Sequence, residues 1–318
     1  MQRKNLPRWI LALLAGLTML APATLAQDDD DDDDCDEECT PCEETTVALR
    51  RAGQNEASDD FWVGQAKCLN LTRRADRMAC FADNRSAFLE AVAFVQEQFE
   101  ARLELCEDLG GDRYDPRIDS ANFVKGVTNP FRPLVPGKTL VYQKVTDEGL
   151  ETVEVTTTRE TKTILGVECV VVRDVVMRGD ELVEDTLDYF AQDRAGNVWY
   201  FGEFVMNFED GALANLNGSW TAGVDGAKPG IVMKATPTVG NVYRQEFLAT
   251  EAEDAARVTG KNRTVVVPKG TFTGCLETLD FTPLEPTHLE AKFYAPGLGF
   301  VLEVNLESGE RTELVAIR

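Results

Sequence analysis

The chain has 318 residues, with 32 Lys and Arg against 55 Asp and Glu, a net charge of −23, and 8 cysteines. Such acidity argues against nucleic acid as a partner, because phosphate binding needs clustered Lys and Arg; it favours cations and basic surfaces. An even set of cysteines behind an export-type leader indicates disulfides formed in an oxidising compartment.

Arg3, Lys4 and Arg8, the apolar run Trp9 to Leu20, and small residues ending at Ala26 have the layout of a secretory signal peptide over residues 1–26. The run is short for a membrane span, and no later window holds the roughly 18 consecutive apolar residues that one needs. The expectation is an exported protein, periplasmic or extracellular, with no transmembrane span after cleavage. Without the leader, 29 basic residues face 55 acidic ones, a net of −26. Residues 27–44 read as an acidic, disordered tail, since the like charges of Asp28 to Asp34 repel and form no fixed cage. Weak calcium binding through those carboxylates is compatible with that reading, and no other cofactor is expected.

Residues 45–110 read as a cysteine-rich helical hairpin. A first helix is expected from about Asp59 to Phe81. A second carries Phe88, Val92, Val95, Phe99, Leu103 and Cys106 on one face, capped near Asn84 or Ser86 and stopped by Gly110 and Gly111. Cys35, Cys39, Cys42, Cys68, Cys80 and Cys106 are expected to staple this region, with a connectivity that sequence leaves open. The C-x3-C-x2-C spacing at Cys35, Cys39 and Cys42 also fits an iron–sulfur site, but an exported setting among carboxylates favours disulfides.

Residues 111–137 form a connector in which Pro116, Pro130, Pro133 and Pro136 block regular structure. From Lys138 to residue 318, short β-branched and aromatic runs alternate with turn signals, as in antiparallel all-β domains. The fold class is therefore mainly β: an antiparallel meander forming a curved sheet or partly closed barrel, which would remove exposed edges. The runs are Thr139 to Thr146, Thr152 to Thr158, Thr163 to Val176, Leu182 to Ala191, Val198 to Phe208, Val242 to Leu248, Thr264 to Val267, Thr271 to Phe281, Leu289 to Tyr294 and Phe300 to Leu306. Cys169 and Cys275 are left to pair with each other, closing a loop of about 105 residues.

Several stretches occur in a specific order: YDPRID at Tyr114, NPFRPLVPGKTLVY at Asn129, DYFAQDRAGNVWYFGE at Asp188, GSWTAGVDGAKPGIVM at Gly218, YRQEF at Tyr243 and YAPGLGFVLEV at Tyr294. On these the chain resembles a widespread family of exported bacterial β-rich proteins of unassigned function, departing from its pattern near Arg132, where an aromatic is usual. The resemblance implies export and a β-rich fold, and no activity. More distantly, the architecture is similar to the curved sheets of periplasmic lipid and lipoprotein carriers, an analogy of fold that does not fix function.

Two groups could carry chemistry. Asp188, Asp193, Asn197 and Glu203 surround a turn beside Trp199, Tyr200 and Phe201, offering carboxylates and aromatic faces to a sugar or cation, or the acid pair of a glycoside hydrolase. The alternative is that Asp193 and Asn197 only shape the turn. Trp220, Asp225 and Tyr243, with Arg244 and Glu246, form a second group around the Gly- and Pro-rich segment Gly218 to Gly230, which reads equally as a loop closing over a pocket or as a connection covering a sheet edge. His288 is the one histidine and reads as a strand-end surface residue, so no triad or histidine metal site is expected. The leading reading is a non-catalytic exported binding or scaffold protein whose aromatic-lined concave sheet takes an apolar, glycan or protein ligand, a small molecule or an envelope protein. The alternatives are a hydrolase using Asp188 and Glu203, and a structural envelope component.

Overall fold

The computed structural model describes residues 39–318; the expected leader over residues 1–26, Asp28 to Asp34 and Cys35 lie outside the described residues. The described chain opens at Thr40, which accepts a hydrogen bond from the Glu43 backbone N–H, while the Glu43 side chain accepts one from the Thr40 backbone. This reciprocal cap, with Pro41 in the first turn, starts helix α1 (Pro41–Leu69). Residues 41–44, expected in the acidic tail, are therefore helical, and Glu43 and Glu44 sit at the positive end of the helix. Helix α2 (Arg74–Leu109) ends on Gly110, whose φ of 87° suits a left-handed C-cap.

The break between helices falls at residues 70–73 and not near Phe81 to Asn84. The seam explains the difference. Only Thr46, Val47, Ala57 and Cys68 of α1 and Phe99, Arg102, Leu105 and Cys106 of α2 are buried, so the apolar periodicity that would locate α1 is weak. Disulfides hold both ends of this thin hairpin, Cys42–Cys106 at the base and Cys68–Cys80 at the tip. Cys39 is also disulfide-bonded. A bidentate pair from Arg102 to Glu253 (2.8 and 3.0 Å), the pair of Asp108 with Arg257, and a hydrogen bond from Gln98 to the Leu284 carbonyl (2.8 Å) dock α2 on the β domain. No helix of the described residues is long and apolar enough to cross a membrane.

The strands are β1 (Phe123–Val124), β2 (Thr139–Thr146), β3 (Gly149–Ile164), β4 (Val167–Arg178), β5 (Glu181–Asp193), β6 (Val198–Glu209), β7 (Ala212–Asn215) and β8 (Trp220–Thr221). They continue as β9 (Lys228–Met233), β10 (Val242–Arg244), β11 (Glu246–Phe247), β12 (Ala255–Val267), β13 (Gly270–Phe281), β14 (Leu289–Ala295), β15 (Gly299–Asn305) and β16 (Arg311–Ile317). Two meanders, β2 to β6 and β12 to β16, join where β16 pairs with β2. The run expected over Thr163 to Val176 is cut at Leu165–Gly166, and that over Val242 to Leu248 is divided at Gln245.

The sheet is a nearly closed antiparallel barrel of 13 strands in the order β10-β12-β13-β14-β15-β16-β2-β3-β4-β5-β6-β9-β11. Its two edges, β10 and β11, are separated in the chain by Gln245 alone, so the backbone itself steps across the seam. Gly230 makes the seam close: a Cβ there would lie 2.2 Å from the Gln245 carbonyl carbon. Closure removes the edges an open sheet would expose.

Inside, Val172, Phe190, Val198, Val258, Leu276 and Tyr294 form one cluster drawn from opposite walls. A second cluster lies on the outer face of β4 to β6 beneath Ile118 and Phe123, and a third gathers Tyr142, Val265, Val301 and Leu314. The expected Cys169–Cys275 bond is absent: both are buried free thiols, Cys169 in the second cluster and Cys275 in the third. Each packs as a small apolar side chain, and burial pushes the Cys169 thiol up to about 12.

Candidate ligand-binding interior

The loop Val127 to Leu134 closes one end of the barrel. Gln192 accepts from the backbone N–H groups of Thr128 and Asn129, both at 2.8 Å; the Asn129 amide donates to the carbonyls of Gly196 and Lys234; and Gly297 N–H donates to Pro130 O. With its backbone fixed, the loop packs Val127, Phe131 and Leu134 into the inner cluster and sets the Arg132 guanidinium 4.4 Å over the Phe190 ring.

Further along the interior, polar side chains replace apolar ones. In the β5–β6 ladder Asp188 pairs with Glu203 and Phe190 with Tyr200, so β6 carries one more residue than β5 between these pairs. That is a β-bulge, and it turns both Tyr200 and Glu203 to the inner face beside Asp188. Gly202 permits it: its φ is 132°, and a Cβ would meet the Trp220 carbonyl oxygen at 2.4 Å.

The Tyr200 hydroxyl donates to Asp188 Oδ1 at 2.5 Å, and its ring stacks on Phe190 (4.7 Å between centroids) and meets Trp220 edge-on (5.3 Å). Trp220 Nε1 faces the carboxyl groups of Glu203 and Glu246, near enough to ease their charge but without closing a hydrogen bond. Asp188, Tyr200 and Glu203 keep accessible surface although protein surrounds them, so this level of the barrel is not packed solid.

Four inner carboxyl groups titrate high. Burial pushes Asp188 up to about 6, with the Tyr200 hydrogen bond and Arg132 pulling the other way. Burial, then the charges of Asp188 and Glu184, push Glu203 up to about 8. Asp174 and Glu246 are also held well above the usual range, by burial first and by neighbouring carboxylates next. Asp174 Oδ1, Tyr243 Oη and Arg132 Nε are buried without a hydrogen-bond partner among the described residues.

The sequence groups divide cleanly. Asp188, Glu203 and Trp220 meet in the interior, while Tyr243 lies in the inner cluster within electrostatic reach of Asp280, Tyr294 and Arg132. Asp193, Asn197 and Trp199 do not: Asp193 accepts from the backbone of Gly196 and Asn197, from the Asn197 amide and from Trp199 Nε1 (2.8 to 2.9 Å), which fixes the turn. Asp225 is an exposed turn residue with φ 50°. Arg132, Asp174 and Tyr294 were missed. Asp174 had a signal, a single carboxylate at an inward position of the apolar run VVVRDVV. Among the described residues no group of three or more His, Cys, Asp or Glu is placed to hold a metal ion.

No family model matches the chain. No curated protein matches it either. Among solved structures it is similar to a protein of Parabacteroides distasonis ATCC 8503 described as a "putative lipoprotein", at 12% identity and a TM-score of 0.33, over 60% of this chain and 99% of that chain. A likeness of that strength transfers neither fold nor function.

Proposed function

We propose that this is an exported, non-catalytic binding protein whose barrel interior receives the ligand. The leader and the stapled hairpin support export, since such disulfides persist in oxidising compartments, and the resemblance to exported β-rich proteins belongs to the same proposal. The observation that carries the binding role is the set of unpartnered polar atoms on the inner wall: Asp174 Oδ1, Tyr243 Oη, Trp220 Nε1 and Arg132 Nε. A buried polar group without a partner costs about 1–3 kcal/mol, and a ligand supplying partners would recover that. Native mass spectrometry of the protein purified from its own envelope or medium tests the reading. A retained mass released on denaturation is expected; a clean protein mass from every preparation counts against it.

One observation favours a second reading. Asp188 and Glu203 are direct cross-strand neighbours whose titrations are pushed apart, which suits a glycosidase pair with Asp188 ionised and Glu203 as the acid. Hydrolysis of aryl glycosides that is lost in both Asp188→Asn and Glu203→Gln would move the assignment to catalysis.

A further inference from the structure

We infer that the ligand is a small molecule carrying an ammonium group beside a hydroxyl or carbonyl oxygen, seated between the inner carboxylates and the rings of Tyr200 and Trp220. This rests on the binding reading above and deepens it.

Charge supplies the first half of the argument. Asp174, Asp188, Glu203 and Glu246 line the inner wall, and the structure gives none of them an ion pair. Three cations lie near the interior and none pairs with these carboxyl groups; one of them, Lys234, sits 5.3 Å over the Tyr243 ring. Arg132 stacks on Phe190 at the closed end, near enough to influence Asp188 but without a hydrogen bond to it. Lys292 is already shared among Asp280, Glu290 and Glu303 at 3.0 to 3.5 Å. A cationic group entering beside Asp188 and Glu203 would meet carboxyl groups flanked by the Tyr200 and Trp220 rings, the kind of setting that recognises ammonium ions.

Unpartnered donors supply the second half. Trp220 and Tyr243 are 4% and 5% exposed; Trp220 Nε1 points toward the Glu203 and Glu246 carboxyl groups without closing a hydrogen bond, and Tyr243 Oη has no partner among the described residues. A bare cation leaves Trp220 Nε1 without a closed hydrogen bond; a ligand oxygen next to the cation gives it one. An anion would face the carboxylates, and a neutral polyol would leave them uncompensated.

The probes are choline and ethanolamine, each an ammonium next to a hydroxyl, and 3,3-dimethylbutan-1-ol, which has choline's shape without its charge. Calorimetric titration of the full mature chain, freed of any retained ligand, should show at least one of the two cations binding, with choline preferred over its neutral isostere by about tenfold or more. Choline stays charged at every pH, so its affinity should rise between pH 5 and 8 with proton release. The groups facing it are Asp174 and Glu184 on β4 and β5, Asp188, Tyr200 and Glu203, Glu246 at the seam, and Arg132 and Tyr243. Beyond them lie Asp254, Asp280 and Lys292, and of all these the carboxyl groups held high by burial must ionise to receive the cation. Glu203→Gln should lower the affinity and flatten the pH profile, with circular dichroism and melting temperature confirming the fold. Equal binding of the neutral isostere, or no binding of either cation, overturns the inference. A retained neutral or acidic ligand in native mass spectra does the same while leaving the binding reading intact.

Discussion

Two acidic groups lie on different walls of the barrel, one on β13 to β15 and the other on β5, β6 and β11, and behave in opposite ways. Around Lys292, the carboxylates of Asp280, Glu290 and Glu303 all lie within 3.5 Å of Nζ, and His288 adds a contact to Glu290 at 3.0 Å. Burial opposes the charge on Lys292, yet the three carboxylates outweigh it and hold the ammonium above its usual range; burial likewise raises Glu290, but Lys292 and His288 bring it below the usual carboxylate value. Around Asp188, Glu203 and Glu246 no cation closes a contact, and burial drives all three upward. Similar residues on different strands of one barrel thus make a satisfied cluster in one place and an unsatisfied one in the other. Structural ion clusters are completed by the chain; binding sites are left for something else to complete.

Breaking the satisfied cluster should give the largest effect. Lys292→Met strips one cation from three carboxylates in an enclosed setting, with an expected loss of about 3–5 kcal/mol in urea unfolding at pH 7. Gly202→Ala attacks the other cluster through its backbone. The new Cβ meets the Trp220 carbonyl at 2.4 Å in a conformation L residues avoid, so a loss of about 2–3 kcal/mol is expected, with altered Trp220 fluorescence as the bulge reorganises. A fully stable Gly202→Ala protein with unchanged fluorescence would show that the bulge does not set this arrangement.

Removing charge from the unsatisfied cluster should do the reverse. Asp188 and Glu203 have folded-state pKa values raised to about 6 and about 8, so the folded chain holds protons that the unfolded chain has released. Their contribution is fully present below the unfolded values near 4 and is lost as pH rises through about 6 and then about 8. Glu203→Gln should therefore be more stable than the parent at pH 8.5, on the order of 1–3 kcal/mol, with the advantage shrinking toward pH 5. Thermal melts across that range check it; an advantage that grows toward acid reverses the sign and the argument.

How much of this was legible in the sequence follows the range of the interactions. The meander was readable because β2, β5, β6 and β13 to β15 alternate locally and end in turn residues. The seam was not: β9, β10 and β11 are six, three and two residues long, and their pairing depends on a missing Cβ at Gly230. Strand β16, with the mixed sequence RTELVAI, is recognisable only once β2 lies beside it. Asp188 and Glu203 were visible as carboxylates near aromatics, but the bulge that turns Tyr200 inward with them is a property of the pairing. Cys169 and Cys275 went wrong for the same reason: parity suggests a bond, and only the fold shows them in separate clusters. Arg132 was hidden because a proline-rich connector gives no hint that it closes a barrel.

The smallest effects separate the two tryptophans on β6 and β8. Trp199 Nε1 donates to Asp193 Oδ2 at 2.9 Å, so Trp199→Phe removes a hydrogen bond from the turn network and should cost about 1 kcal/mol, with the carboxylate left partly unsatisfied. Trp220 Nε1 closes no hydrogen bond in the free protein, although the Glu203 and Glu246 carboxyl groups lie near it. Trp220→Phe therefore loses packing volume but no hydrogen bond, and should change stability by less than about 1 kcal/mol while weakening choline binding several-fold. Measured side by side, the pair distinguishes an indole N–H that serves the fold from one that awaits a ligand. If Trp220→Phe proves the more destabilising and leaves choline affinity unchanged, the Trp220 N–H belongs to the fold, and the ligand oxygen must be sought at Tyr243 alone.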